Sequence, residues 1–118
     1  MLKYVLTVPL LFIFFSCSKL NFDSNRINEL KIKNTRTKLV QTISDKKVID
    51  LLFDKYINNN EEYLVEFKGR NHLIFNYKNK EIILITNGEY IRCQNKTYRL
   101  KNNVNEFFKQ VNISIPEY

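Results

Sequence analysis

The residues of this chain whose types could do chemistry are few: two cysteines, one histidine, a pair of arginines and some scattered carboxylates. Cys17 stands where the apolar run Phe12 to Phe15 gives way to Ser16, Ser18 and Lys19, so its thiol is placed for attachment, for a disulfide or for burial. Cys93 is expected to point inward from a strand, which argues against a reactive thiolate. His72 falls at the mouth of a turn beside Lys68 and Arg70, with no neighbouring Cys or second His to complete a metal site. Ser44 and Ser114 lack a nucleophile motif, and two glycines, Gly69 and Gly88, are too few for a phosphate-cradling loop. Glu61 and Glu62 are adjacent, so on a strand they point to opposite sides and form no acid/base pair. The expectation is a protein that is not an enzyme and takes no cofactor or metal.

Cys17 gains meaning from what precedes it. Met1-Leu2-Lys3 gives a short positive start, and Tyr4 to Phe15 is an apolar run interrupted only by Thr7 and Pro9. That is the plan of a signal peptide. A spanning helix needs about 20 apolar residues, so the run is too short for a good permanent anchor.

Phe14, Phe15, Ser16 and Cys17 resemble the end of a bacterial lipoprotein signal peptide, in which a cysteine is thioether-linked to diacylglycerol before cleavage. Ser16 and Cys17 match the pattern, Phe15 is bulkier than it prefers, and the resemblance covers only the first 17 residues. It implies a removed leader, 1–16, lipidation of Cys17, and attachment to a membrane of the cell envelope, either the outer membrane or the periplasmic face of a membrane. Two or three acyl chains anchor stably where one is marginal, at about 0.8 kcal/mol per buried methylene. Two alternatives stay open. Ser16 and Ser18 would also permit ordinary signal-peptidase cleavage before Lys19, releasing a soluble chain, and an oxidising compartment would permit a Cys17–Cys93 disulfide.

The remaining chain suits one small domain over 27–111, reached by a polar tether over 17–26 and followed by a tail over 112–118. With 19 Lys plus Arg against 12 Asp plus Glu the net charge is +7, which permits an anionic partner without specifying one. Arg92, Lys96, Arg99 and Lys101 cluster near Tyr90 and Tyr98, yet an exported protein seldom meets nucleic acid, and that partner is not expected.

The elements follow from periodicity. Leu30 and Ile32 alternate with Glu29, Lys31 and Lys33, and with the run from Thr37 to Ile43 they predict a β-hairpin. Ser44 is the expected cap of a helix to about Ile57, whose apolar residues Val48, Ile49, Leu52, Phe53 and Tyr56 share one face. Five strands, 62–68, 72–78, 81–86, 89–94 and 97–101, are expected as an antiparallel meander with turns at Gly69, Asn79, Asn87-Gly88 and Asn95. Asn103 would cap a short C-terminal helix through Val104, Phe107, Phe108 and Val111. The fold class is α+β, with the main helix packed on one sheet face. This order resembles that of many small bacterial lipoproteins, with no motif selecting a family among them.

Two-residue loops at Asn87-Gly88 and Asn95-Lys96 pair Leu84 with Ile91 and Cys93 with Tyr98, and all apolar positions then agree on one face. Tyr63, Val65 and Phe67 are expected on that face. The opposite face would carry Ile74, Ile83, Ile85 and Tyr90 as an apolar patch, with Arg92 directly across from Arg99. Opposed like charges favour an anion between them, so this face is the candidate binding surface, for a protein partner or an anionic envelope polymer. The alternative is that the hairpin or the second helix covers the isoleucines. Together these readings predict a lipid-anchored envelope module that acts by binding, with an adaptor for anionic polymers or a toxin-immunity or inhibitor-type protein as the variants.

Overall fold

The structure, a computed structural model, describes residues 19–111. The leader, Cys17 and the tail 112–118 lie outside the described residues. Six antiparallel strands form one sheet in the order β2-β1-β3-β4-β5-β6. They are β1 (Leu30–Asn34), β2 (Val40–Ile43), β3 (Asn71–Tyr77), β4 (Lys80–Thr86), β5 (Tyr90–Cys93) and β6 (Lys96–Arg99). Helix α1 (Lys46–Leu51) continues as a π-helical stretch, Leu52–Ile57, and α2 (Val104–Gln110) closes the domain. The α+β class and the meander from β3 to β6 are as expected from the periodicity.

The helices take the stripe that the sequence offers. Ile49, Leu52, Phe53, Tyr56 and Ile57 are fully buried, and they meet Leu30, Ile32, Leu73, Phe75, Leu84 and Ile91 from the sheet. The cap of α1 is Asp45 rather than Ser44: its carboxylate accepts the Lys47 N–H at 2.9 Å, satisfying one orphan donor of the first turn. Three asparagines end the helix as expected. Asn58 N–H closes the π turn on Phe53 O at 2.8 Å, and Asn59 adopts a left-handed φ of 66°. Asn60, buried, donates to Tyr56 O and Ile57 O and accepts the Lys101 N–H. Asn103 caps α2 as expected, accepting the Asn105 N–H.

Three expectations about the path and pairing of the backbone are also corrected. Residues 62–68 form no strand, and only Glu61 and Glu62 make isolated pairings, with Lys19 and Tyr98. Their place beside β3 belongs to β1, with Leu30 opposite Phe75 and Ile32 opposite Leu73. β1 gives Leu30 and Ile32 to the core, where both are buried, whereas the segment after Glu62 crosses to the outer face, where Tyr63 and Phe67 pack on Tyr90.

The second correction is register. Leu84 lies across from Cys93, Ile91 from Tyr98, Cys93 from Lys96 and Phe75 from Ile82. Each hairpin is displaced by two residues from the expected pairing, so every side chain keeps its face. The β3–β4 loop is Lys78-Asn79, both at positive φ, and Asn87-Gly88 opens a wider loop because Gly88 O accepts the Val104 N–H at the start of α2.

The third concerns the segment before Ile27. Leu20 is buried, Leu20 O accepts the Asn59 N–H, and Phe22 sits edge-on to Phe53, Phe75 and Tyr77. From Lys19 onward the expected tether is therefore part of the domain. Lys46 Nζ donates to the carbonyls of Ser24 and Ile27, fastening this segment to α1. Among the described residues no helix is long and apolar enough to cross a membrane.

Candidate functional site

The face of the sheet away from the helices is set by alternation. One cross-strand row runs Lys33, His72, Ile85, Arg92, Thr97, and the next runs Lys31, Ile74, Ile83. Neither the hairpin nor α2 covers it, since β1 and β2 extend the sheet and α2 packs on the helical side through Tyr56 and Phe107, 5.8 Å between ring centroids.

What lies over this face is the irregular segment 63–70, at the end nearest β6. Tyr63 stacks on Tyr90 at 5.9 Å, and Phe67 leans on the same ring at 5.9 Å. A Cβ on Gly69 would overlap the Cγ2 of Ile85, so only glycine lets the chain run this close to the sheet. Tyr63 and Phe67 therefore sit on the outer face, not on the helix-facing side expected for them. Ile85 and Tyr90 are partly covered, Ile74 is half-buried and Ile83 keeps 42% of its surface exposed.

The two arginines are not opposed. Tyr90 lies across from Arg99, and Thr97 from Arg92. Each guanidinium instead stacks on a ring of the overlying segment, Arg92 at 5.4 Å from Phe67 and Arg99 at 5.6 Å from Tyr63. The repulsion that motivated an anion between them is thus relieved by lateral separation.

A different cationic group takes shape around His72. Burial, then the charges of Lys33, Lys38 and Arg92, hold its imidazole below the usual histidine range. Among the described residues no carboxylate pairs with Lys31, Lys33, Lys38 or Arg92. Four cations thus flank a half-open apolar strip, whose end by the β3–β4 turn carries Glu29 and Glu81. The sequence reading missed Lys31 and Lys33 because it did not join β1 to β3, although their place on the polar side of β1 was visible.

The His72 environment has a consequence for stability. A histidine whose folded pKa is depressed is protonated more readily in the unfolded chain, so stability falls as pH drops through the unfolded value near 6.5 toward the folded one. The expected result is a melting temperature that falls between pH 7 and 5, with a smaller fall in His72→Gln, as thermal unfolding followed by circular dichroism would show.

Cys93, half-buried at the end of β5, has its thiol pushed up by burial, which lowers its thiolate fraction. No group of three or more His, Cys, Asp or Glu positioned for a metal occurs among the described residues. A shallow depression by the β3–β4 turn mixes Arg26, Lys31 and Lys78 with Glu29 and Glu81, so it favours neither sign of charge. The fold and this face thus define a small α+β protein with a sheet covered by helices on one side and partly covered by the segment 63–70 on the other, leaving a mixed charged and apolar surface around Ile74 and Ile83. No protein-family model, no curated protein and no solved structure matches the chain.

Proposed function

We propose that this chain is a lipoprotein of the bacterial cell envelope, lipidated on Cys17, that acts by binding an acidic protein partner on the outer face of its sheet. The observation that carries the binding half is the group of cations Lys31, Lys33, Lys38 and Arg92 beside Ile74 and Ile83, with no carboxylate paired to them among the described residues and with Ile83 exposed. A purely polymeric anion needs no apolar centre, whereas a protein interface uses apolar contact for affinity and peripheral charge for approach and selection. The anchoring half rests on Ser16-Cys17 after the apolar run.

The test uses the purified protein as bait for detergent-solubilised envelope proteins, beside Ile83→Asp and Lys33→Glu. A partner retained by the wild type, lost with Ile83→Asp and eluted from Lys33→Glu at lower salt is the expected result, because exposed charge pairs are screened by salt. Equal retention by all three proteins overturns this face as the binding surface. Ile83 is exposed and Lys33 partly so, and both variants should fold as the wild type does.

A further inference from the structure

The described chain begins already docked. Lys19 pairs with Glu61, and one residue later Leu20 is buried with its carbonyl on the Asn59 N–H. Cys17 precedes Lys19 by two residues, so its Cα lies within about 7 Å of Lys19 even with the chain fully extended. A lipid on Cys17 therefore holds this corner of the domain at the headgroups and leaves no slack for the domain to stand off.

What the corner presents is suited to that position. Three residues beyond Glu61, Leu64 is 93% exposed, the most open large apolar side chain among the described residues, and Tyr63 beside it is 44% exposed. Tyr63 N–H is fixed on Thr97 O at 2.8 Å, and the Arg99 guanidinium stacks on its ring, so the pair is displayed from a supported backbone. Arg99 and Lys101 are exposed beside Tyr63, Lys19 is exposed beside Glu61, and Glu62 is partnered by Lys96 at 4.0 Å, leaving Glu61 and Glu66 as the opposing charges. Apolar and tyrosine side chains flanked by cations favour the interface of a bilayer containing anionic lipid.

We infer that Tyr63 and Leu64 form a second membrane contact, entering the headgroup region of the leaflet that holds the Cys17 lipid and fixing the β6 edge of the sheet against the bilayer. This rests on the lipoprotein reading. It orients the domain: β6 faces the lipid, while β2, at the far edge of a six-stranded sheet about 24 Å away at the usual strand spacing, points into the aqueous space.

The experiment uses the full chain, expressed in a bacterium, extracted and returned to vesicles of phosphatidylethanolamine and phosphatidylglycerol. In a Cys93→Ser background, an environment-sensitive fluorophore is placed by Leu64→Cys or, on the exposed far edge, by Gln41→Cys. Lipids spin-labelled near the headgroup are the quencher, and intact mass reports whether Cys17 is lipidated. The expected result is loss of fluorescence from position 64 and none from position 41. A lipidated mass with no quenching at 64, or with equal quenching at both, overturns the second contact and leaves the anchor standing. An unlipidated mass with no vesicle-bound protein overturns both.

Discussion

Cys17→Ser is expected to abolish membrane attachment through lipid and leave the leader uncleaved by the lipoprotein pathway. In the wild type the mass should be that of Cys17 to Tyr118 plus diacylglycerol and acyl chains, and the protein should sediment with membranes and partition into detergent. The variant should keep the mass of the unprocessed chain, because the thioether that licenses cleavage cannot form on a hydroxyl. A single acyl chain binds membranes only marginally, with an association constant of about 10⁴ M⁻¹, so two or three chains hold the wild type firmly, and intact mass rather than sedimentation alone separates it from a variant that keeps its apolar leader. A wild-type chain that begins at Lys19 and stays soluble would refute the anchor and favour ordinary cleavage after Ser18.

The same prediction has a structural side. A cleaved chain beginning at Lys19 would still contain every described residue, including Leu20 and Phe22, which the core needs. Loss of the lipid should therefore leave folding intact while removing location. If the chain were instead anchored by a long flexible tether, removal of residues 19–26 would cost little stability; here it would remove Leu20 from the core and the Phe22 ring from Phe53 and Phe75.

How much of this was legible in the sequence depended on which signals were local. The helix from Asp45 to Ile57, the Asn103 cap and the β3–β6 meander follow from side-chain period and turn chemistry within about ten residues. The two-residue register slips were not legible, because parity is fixed by burial whereas loop length depends on contacts such as Gly88 O with Val104 N–H. The exchange of 62–68 for β1 was hidden for another reason. Both segments alternate, and the choice between them is made by which can offer Leu30 and Ile32 to α1 while leaving only lysines outside. The candidate surface inherits that error: Ile74, Ile83, Ile85, Tyr90, Arg92 and Arg99 share one face as expected, but Arg92 and Arg99 are not opposed, and Lys31, Lys33 and the covering rings were supplied by the pairing that periodicity could not choose.

Phe53→Ala should have the largest effect on stability of any single truncation in the helix. The ring is fully buried in the π-helical stretch and meets Phe22 edge-on at 5.9 Å and Phe75 at 5.1 Å, so it joins the N-terminal segment, the helix and the centre of the sheet. Removing it leaves a cavity bounded by three elements that are held elsewhere, by Asn58 on Phe22, by Lys46 on Ser24 and Ile27, and by the β1–β3 pairing, which limits collapse around the void. Truncations of this kind cost about 3–5 kcal/mol, against a total of about 5–15 kcal/mol for a small domain. Urea unfolding in mild detergent should show the midpoint falling sharply with an unchanged slope, since the surface exposed on unfolding is nearly the same. Leu64→Ala is the matched control: it too truncates a large apolar side chain, but at a site that touches no core, and should stay within about 0.5 kcal/mol of wild type. A loss below about 1 kcal/mol for Phe53→Ala would mean that the three elements do not converge on this ring, and that the helix is held to the sheet chiefly by Tyr56 and Ile57 near α2.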